Sequence, residues 1–351
     1  MEAACHRQIE CLVTTAAGAI SSVESAEARG QAYVLRIQLC SEAVTWQVCF
    51  NSRGLPDIVF DDSGFQPLLV DYGKGAPVES IKASLRSWDV HTPTSLTKLT
   101  QQLLDAYQVY QLQRIKELRD ERLVFEVDTV AACPGMHVLV VGNKVHLSIP
   151  LDVNALLEPL TASLRDEGVL PLDWDRQMQG LIRLNLSFTA NGGAPSASVA
   201  FREPLKRWIG PVVLPAWSTE MCTVEFMERT VPAVSAACGA AAKSRAGRMN
   251  LLQALAAKFG TLLELDTFMA SHSCHFMHCR GTPYLLHVRL SSKFPEVPPA
   301  VQLQRVDAQM AGCHRSDIPL ADAAGGSKWS SFTQEHGVTS ILQAIQDFLA
   351  G

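Results

Sequence analysis

The sequence lacks a run of about eighteen apolar residues, and its first residues do not form the continuous apolar segment of a secretory signal. We therefore expect neither a transmembrane helix nor a signal peptide. An excess of basic residues is also missing, because 30 Lys and Arg stand against 35 Asp and Glu, for a formal net charge of -5. This balance argues against a dedicated nucleic-acid-binding protein.

The sequence has ten cysteines, but no C-x-x-C pair of the kind found in zinc ribbons and redox sites. Most of these cysteines sit beside apolar residues, which predicts buried thiols in a reduced compartment. With 351 residues, 47% of them hydrophobic, the chain is long enough for two or three domains with buried cores. We expect a protein of the cytoplasm and nucleus.

The first third of the chain combines helical and strand patterns. Apolar spacing predicts a short helix over residues 5–23, and a longer helix begins after Thr94 with Ser95 as its N-cap. Alternation of apolar and polar residues predicts three strands, at 33–39, 44–50 and 57–60.

The later half of the longer helix, from Arg114 to Arg122, is dense in alternating charge. Such a stretch is typical of a solvated helix face with i,i+4 ion pairs. About 25 helical residues would nevertheless extend beyond a small lobe, which favours a projecting helix that docks onto a partner. Both interpretations stay open, and the candidate docking residues are Arg114, Lys116 and Arg119.

The rest of the chain predicts two further lobes, so that the domains are 1–130, 131–243 and 244–351. Asn191 to Pro195 predicts a hairpin loop in the middle lobe. Helices are predicted at 220–243, 249–259 and 338–349. Strands are predicted at 145–149, 181–188, 198–201, 262–265, 272–279, 284–290 and 301–306.

Three local features bear side chains with catalytic or ligand chemistry. His272 to Cys279 holds three histidines and two cysteines, but a strand would split them between two faces, so packing is favoured over a metal site. Cys313 is a candidate nucleophile, although the neighbouring His314 is badly placed to activate it. Asp71 to Gly75 lacks the full phosphate-loop pattern. We therefore predict no catalytic residue, metal or cofactor.

A proline-rich segment, Phe294-Pro295-Glu296-Val297-Pro298-Pro299, lies between two predicted strands. Its prolines fix φ and remove amide donors, so it predicts a rigid crossover with Phe294 covering the core. This arrangement resembles the signature of the ubiquitin-conjugating fold, and Lys328-Trp329-Ser330 before the last helix is similar too. No His-Pro-Asn triplet precedes Cys313, so the resemblance is to the inactive variant, the UEV domain. The resemblance assigns a fold-maintaining role to Phe294, Pro295, Pro298, Pro299 and Trp329.

The first lobe resembles one family that contains such domains, the brain and reproductive organ-expressed (BRE) family. The first lobe lacks the aromatic residue before the proline of its own crossover and keeps only Leu55-Pro56. The similar segments are Thr45 to Asn51, Leu55 to Asp62, Ser87-Trp88-Asp89, Leu103 to Val130, Lys206 to Gly210 and Leu214 to Trp217.

The resemblance implies an α+β fold of tandem UEV-like lobes, each an antiparallel meander flanked by helices, with a middle lobe that is a degenerate UEV or RWD-like domain. It implies a non-catalytic scaffold subunit of the BRISC-type deubiquitinase, which cleaves ubiquitin chains linked through ubiquitin's lysine sixty-three. The implied partners are an Abraxas-type scaffold, the zinc metalloprotease subunit, a MERIT-type subunit and ubiquitin. The implied processes are DNA-damage signalling, mitosis and restraint of apoptosis. Two alternatives are a free-standing ubiquitin-binding adaptor and an active conjugating enzyme that uses Cys313.

Overall fold

The structure is a computed structural model, and its helices and antiparallel sheets confirm the α+β class. No helix among the described positions is long and apolar enough to cross a membrane. The structure describes residues 2–15, 20–25, 32–70, 78–151, 182–202, 205–218, 220–259, 262–266, 271–279, 282–291, 294, 297–306, 315–318, 339, 341, 343, 344 and 347.

The chain divides into two compact units. Unit 1 comprises Met1–Asp152, Gln179–Arg202 and Val213–Ala233. Unit 2 comprises Val153–Met178, Glu203–Val212 and Val234–Gly351.

The first sheet of unit 1 is an antiparallel meander whose strands lie in chain order. Its strands are β1 (Ile20–Ser25), β2 (Ala32–Gln38), β3 (Ala43–Phe50) and β4 (Pro56–Phe60), and the last three follow the predicted alternation. The helices around it are α1 (Glu2–Thr15), α2 (Val78–Arg86) and α3 (Ser95–Glu117).

The predicted helix over residues 5–23 was wrong in its second half. Helix α1 ends at Thr15, and β1 pairs with β2 through Ile20 opposite Ile37 and Val23 opposite Leu35. A run this short fits a helix and a strand equally well, and pairing with β2 decides the outcome.

The core of this sheet is built around Trp46, which is fully buried. Its ring meets Phe60 edge-on with centroids 5.1 Å apart and Tyr107 at 6.0 Å. Leu99, Leu103 and Tyr107 recur every four residues, so one face of α3 covers the sheet. Burial of each large side chain contributes about 2 kcal/mol to stability.

The first turn of α3 is capped from another helix. The residue before the helix, Thr94, makes no side-chain capping bond, and Ser95 is the first helical residue, so the prediction of Ser95 as N-cap was wrong. The backbone N–H of Leu96 instead donates to Oε1 of Gln8 on α1 at 2.8 Å. Nε2 of Gln8 donates to the carbonyl of Val90 at 3.0 Å. One buried amide therefore fixes both the start of α3 and the loop before it.

The second sheet of unit 1 is also a four-stranded meander in chain order. The predicted hairpin loop at 191–195 is confirmed, because Ser187 pairs with Ser196 across it. The first strand of this sheet, at 137–141, was not predicted. A two-residue turn follows this strand, and Gly142 supplies the positive φ of 61° for the turn. The strands are β5 (His137–Val141), β6 (Lys144–Pro150), β7 (Ile182–Thr189) and β8 (Ser196–Phe201).

Helices with described bounds after α3 include α4 (Glu121–Asp128), α5 (Leu205–Trp208) and α6 (Thr223–Phe259). The two helices predicted at 220–243 and 249–259 are one continuous helix of 37 residues. Its N-terminus is anchored by the buried carboxylate of Glu126, which accepts from the N–H and the hydroxyl of Thr223 at 2.7 and 2.8 Å. A negative charge at this position also suits the helix dipole.

The sheet of unit 2 is an antiparallel meander of five described strands that lie in chain order. Strands of this sheet pack through Leu286, Val288 and Leu303 onto Leu251 and Leu255 of α6. The last strand was not predicted. The strands are β9 (Leu262–Leu265), β10 (His272–Cys279), β11 (Thr282–Arg289), β12 (Ala300–Arg305) and β13 (Arg315–Ile318).

The helix predicted at 338–349 agrees with the described positions there. Residues 339, 341, 343, 344 and 347 are all helical, and Ile341 is fully buried in the core of unit 2. The apolar face of the predicted helix therefore includes a true core position.

Candidate functional site

Arg114, the first residue of the predicted docking helix, is held inside unit 1. Its guanidinium lies 3.1 Å from the carboxylate of Asp62 and donates to the carbonyl of Val140 at 3.1 Å. The side chains of Arg114 and Asp62 are only 28% and 21% exposed. Arg114 therefore links α3 to the turn after β4 and to β5, and its charge is already compensated.

Two glutamines of α3 continue this link along the edge of the second sheet. The backbone N–H of Val138 donates to Oε1 of Gln108 at 2.7 Å, and that of Val140 donates to Oε1 of Gln111 at 2.8 Å. Strand β5 is an edge strand, and these bonds cover its outward donors. Sequence reasoning missed this contact; two glutamines three residues apart on a predicted helix were the available signal.

The turn after β4 is shaped by its approach to α3. The hydroxyl of Tyr110 donates to Asp62 at 3.1 Å, and the Arg114 guanidinium lies 5.8 Å from the Tyr110 ring centroid. A Cβ atom at Gly64 would collide with the Tyr110 hydroxyl oxygen. Any larger residue here would force the Tyr110 hydroxyl or the turn to shift.

The other two candidate docking residues are exposed, but they do not share one helix. Helix α3 ends at Glu117, and Arg119 lies in the connecting turn with a φ of 52°. The predicted continuous helix from Arg114 to Arg122 was therefore wrong. Lys116 and Arg119 both point to solvent, and Phe125 in the next helix is 57% exposed.

Asp120 holds this turn in place. Its carboxylate accepts from the backbone N–H of Leu123 at 3.1 Å, which caps α4, and from that of Asn191 at 2.7 Å. The Asn191 bond is the main reason that the pKa of Asp120 lies below its ordinary value, and the bonds at α4 add to it. The exposed segment is thus fixed to the β7–β8 hairpin.

The proline-rich motif lies in unit 2. Phe294 is 2% exposed in the core, and its carbonyl accepts from the Ser244 hydroxyl of α6 at 2.9 Å. Pro299 is buried and Pro298 is half-buried. Pro295 and Trp329 lie outside the described residues, so the fold-maintaining role of the whole set stays a prediction.

The His- and Cys-rich segment forms strand β10, as predicted. The rings of His272 and His287 stack with centroids 6.0 Å apart, and Nε2 of His275 lies 2.9 Å from the Ser273 hydroxyl. Burial lowers the pKa of His275 to about 4. Within the described positions, no three His, Cys, Asp or Glu side chains converge as metal ligands. Cys313 and the Asp71–Gly75 loop lie outside those positions.

The cysteines whose side chains are described are free thiols, and four of them are buried. Cys40 is 5% exposed, and its thiol lies 3.3 Å from the carbonyl of His146. Burial raises the pKa of this thiol to about 12, although Arg183 opposes the shift. A thiol in this state is a packing group with no nucleophilic character near neutral pH.

Unit 1 also contains an apolar cavity of about 400 Å³ between β4, α2 and α3. Sequence reasoning did not identify it, because its walls come from segments far apart in the chain. The lining residues are Pro56, Asp57, Ile58, Phe60, Phe65, Gln66, Pro67, Leu68, Leu69, Ile81, Leu85, Leu99 and Leu103.

Comparison with known proteins gives a consistent result. A protein named "BRISC and BRCA1-A complex member 2" from Branchiostoma floridae is 22% identical over 295 residues, which are 80% of this chain and 73% of that protein. A Danio rerio protein of the same name is 31% identical over 107 residues, which are 29% of this chain and 25% of that protein. The family model described as "Brain and reproductive organ-expressed protein (BRE)" matches residues 7–308. The chain belongs to the BRE family.

Proposed function

We propose that this chain is a non-catalytic scaffold subunit of a multi-subunit deubiquitinase. The observation that carries the proposal is the match to the BRE family over residues 7–308. Two relatives named as members of the BRISC and BRCA1-A complexes support it.

In this role the chain supplies surfaces for assembly, while another subunit supplies the chemistry. A zinc metalloprotease partner would cleave ubiquitin chains linked through ubiquitin's lysine sixty-three. The active site of such a metalloprotease requires a His-x-His-Pro motif and a distant carboxylate to activate water. The nearest sequence here, His91-Thr92-Pro93, lacks the first ligand. The remaining partners in the proposal are an Abraxas-type scaffold and a MERIT-type subunit, with roles in DNA-damage signalling, mitosis and apoptosis.

The same proposal assigns UEV-like lobes to the first and third sheets. In unit 1, α1 precedes a four-strand meander and α3 follows it, which is the element order expected for that fold. In unit 2, the segment with Phe294 lies between β11 and β12 of a meander. The proposed domain boundary at 243 falls within α6, so the third lobe would begin inside that helix.

Affinity purification of the tagged full-length chain from its native cells tests the scaffold role. We expect a metalloprotease-type deubiquitinase to co-purify, and the eluate to cleave lysine-sixty-three-linked ubiquitin chains until a zinc chelator is added. Native mass spectrometry that finds the chain mostly as a monomer would contradict the proposal and favour a free-standing adaptor. A ubiquitin thioester that is lost in Cys313→Ala would favour a conjugating enzyme instead.

Partner docking is proposed at Lys116 and Arg119, because Arg114 already pairs with Asp62. Both residues are exposed, so reversing their charge should leave the fold intact. We expect Lys116→Glu with Arg119→Glu to reduce recovery of the partner subunits, while Lys98→Glu, an exposed change elsewhere on α3, should not. Equal recovery from both variants would place the docking surface elsewhere.

A further inference from the structure

The hydrogen bonds at the two ends of the β3–β4 pair define its ladder. The N–H of Asn51 donates to the carbonyl of Leu55 at 2.9 Å, and the N–H of Asp61 donates to the carbonyl of Thr45 at 3.3 Å. In an antiparallel pair, hydrogen-bonded positions alternate with positions that are not bonded to each other. The odd-numbered residues of β4 therefore bond to β3.

The even-numbered residues of β4 direct their backbone groups the other way. The N–H groups of Ile58 and Phe60 and the carbonyls of Pro56, Ile58 and Phe60 point away from β3. In the part of the chain that the structure describes, β3 is the only strand beside β4. This edge therefore presents regularly spaced donors and acceptors of the kind that pair with an added strand.

The side chains of these same residues line the apolar cavity. Pro56, Ile58 and Phe60 form one wall, and Leu85 and Leu103 belong to the helices opposite. A volume of about 400 Å³ lies within the range of sites that take a small ligand or a few side chains. The outward backbone groups of β4 and the apolar cavity thus meet along one strand.

The rim of the cavity carries apolar side chains on the surface. Leu69 is 82% exposed, and its neighbours Leu68 and Val70 are 43% and 40% exposed. Large apolar side chains that cluster at the mouth of a cavity are typical of a contact surface. Asp57, which lies between Pro56 and Ile58 on β4, is exposed and carries a negative charge beside the same edge.

We propose that this cleft binds an extended segment of a partner protein as a fifth strand on β4. Apolar side chains at every second position of that segment enter the cavity, and a Lys or Arg between them lies beside Asp57. Main-chain hydrogen bonds to Ile58 and Phe60 supply affinity, and the cavity supplies specificity, as in other proteins that bind peptides by strand addition. This site is independent of the scaffold role and of the Lys116 and Arg119 surface.

Random peptides of about twelve residues displayed on phage, selected on the full-length chain, provide the probe. We expect the selected peptides to share apolar residues two positions apart, with a basic residue between them. Binding of a synthetic selected peptide should slow hydrogen exchange at the amides of Ile58 and Phe60. A helix in the cleft would leave these two amides unprotected, and that result would overturn the proposal.

Two pairs of variants separate the backbone and side-chain contributions. Ile58→Ala and Ile58→Pro both remove the side chain, but only the proline removes the outward N–H, which β3 does not use. We expect the proline variant to bind the selected peptide about tenfold more weakly than the alanine variant. Leu69→Asp should weaken binding at least tenfold, while Val213→Asp, a change at another exposed apolar residue, should not. Equal binding within both pairs would overturn the proposal.

Discussion

Replacement of Gln8 by leucine should destabilise unit 1 strongly. The Gln8 side chain is fully buried, and it supplies the acceptor for the N–H of Leu96 and a donor for the carbonyl of Val90. Leucine has a similar size but no polar atoms, so both backbone groups would stay buried without a partner. Each such group costs about 1–3 kcal/mol, so we expect the free energy of unfolding to fall by about 3 kcal/mol.

Urea-induced unfolding followed by circular dichroism measures this loss, and hydrogen exchange at Leu96 locates it. The control is Gln101→Leu, since Gln101 is exposed on α3 and its amide donates to the carboxylate of Asp105 at 2.9 Å. The control should lose no more than about 0.5 kcal/mol. If Gln8→Leu matched the control, or if exchange at Leu96 were unchanged, the cross-helix cap would contribute nothing.

The Gln8→Glu variant tests the direction of the same hydrogen bonds. A carboxylate can still accept from Leu96, but it places negative charge against the carbonyl of Val90. The buried carboxyl should therefore have a pKa above its ordinary value of about 4.3. A raised folded pKa means that the variant recovers stability relative to the natural chain as pH falls. Parallel pH profiles of the two proteins would refute the assigned orientation of the amide.

Three further predictions concern unit 1. Glu126→Gln should lower the free energy of unfolding, measured by thermal unfolding, by about 1–2 kcal/mol, because the negative charge at the start of α6 is lost. Glu121→Gln, a change at an exposed residue, should lower it far less. Burial, together with two nearby arginines, lowers the pKa of His137 to about 4. The unfolded chain therefore binds a proton at His137 more readily, and the free energy of unfolding should fall by up to about 3 kcal/mol between about pH 6.5 and about pH 4. A His137→Phe variant should show a flatter dependence of this free energy on pH. Gly142→Ala should lower the free energy of unfolding by about 1 kcal/mol because of the positive φ alone, since no atom lies close to the added Cβ. An alanine variant as stable as the natural chain would contradict this.

Strands with a strict alternation were predictable from the sequence. Residues 44–50 alternate over their whole length, and this strand pairs with neighbours on both sides in the structure. The hairpin loop at 191–195 was predictable too, because asparagine and glycine favour the backbone conformations of tight turns. In both cases the information lies within a few consecutive residues.

The continuity of α6 could not be predicted in the same way. Pro232 and Gly239 are helix-disfavouring residues inside it, and they lower the apparent helical pattern around them. Packing of Leu251 and Leu255 in one core and of Phe226 in another outweighs this local preference. Tertiary burial is not visible in a window of neighbouring residues.

The candidate site shows the same limit. Arg114 looked like a solvent-facing docking residue because its neighbours in sequence are charged. Its actual partners, Asp62 and Val140, lie 52 and 26 positions away along the chain. Lys116 has similar neighbours in sequence but is exposed. The local sequence therefore predicted a charged surface stretch correctly. It could not predict which of the charged side chains would bind to other residues of the same chain.

The long-range contacts of α3 rely largely on uncharged amides. Gln8, Gln108 and Gln111 connect it to α1 and β5 without carrying a charge. Neutral hydrogen bonds are not screened by dissolved ions, whereas exposed ion pairs weaken as ionic strength rises. The docking of α3 onto its neighbours should therefore persist in concentrated salt, where any partner contact made through Lys116 and Arg119 is released. High-salt washing would then strip charge-bound partners and leave the fold of unit 1 undisturbed.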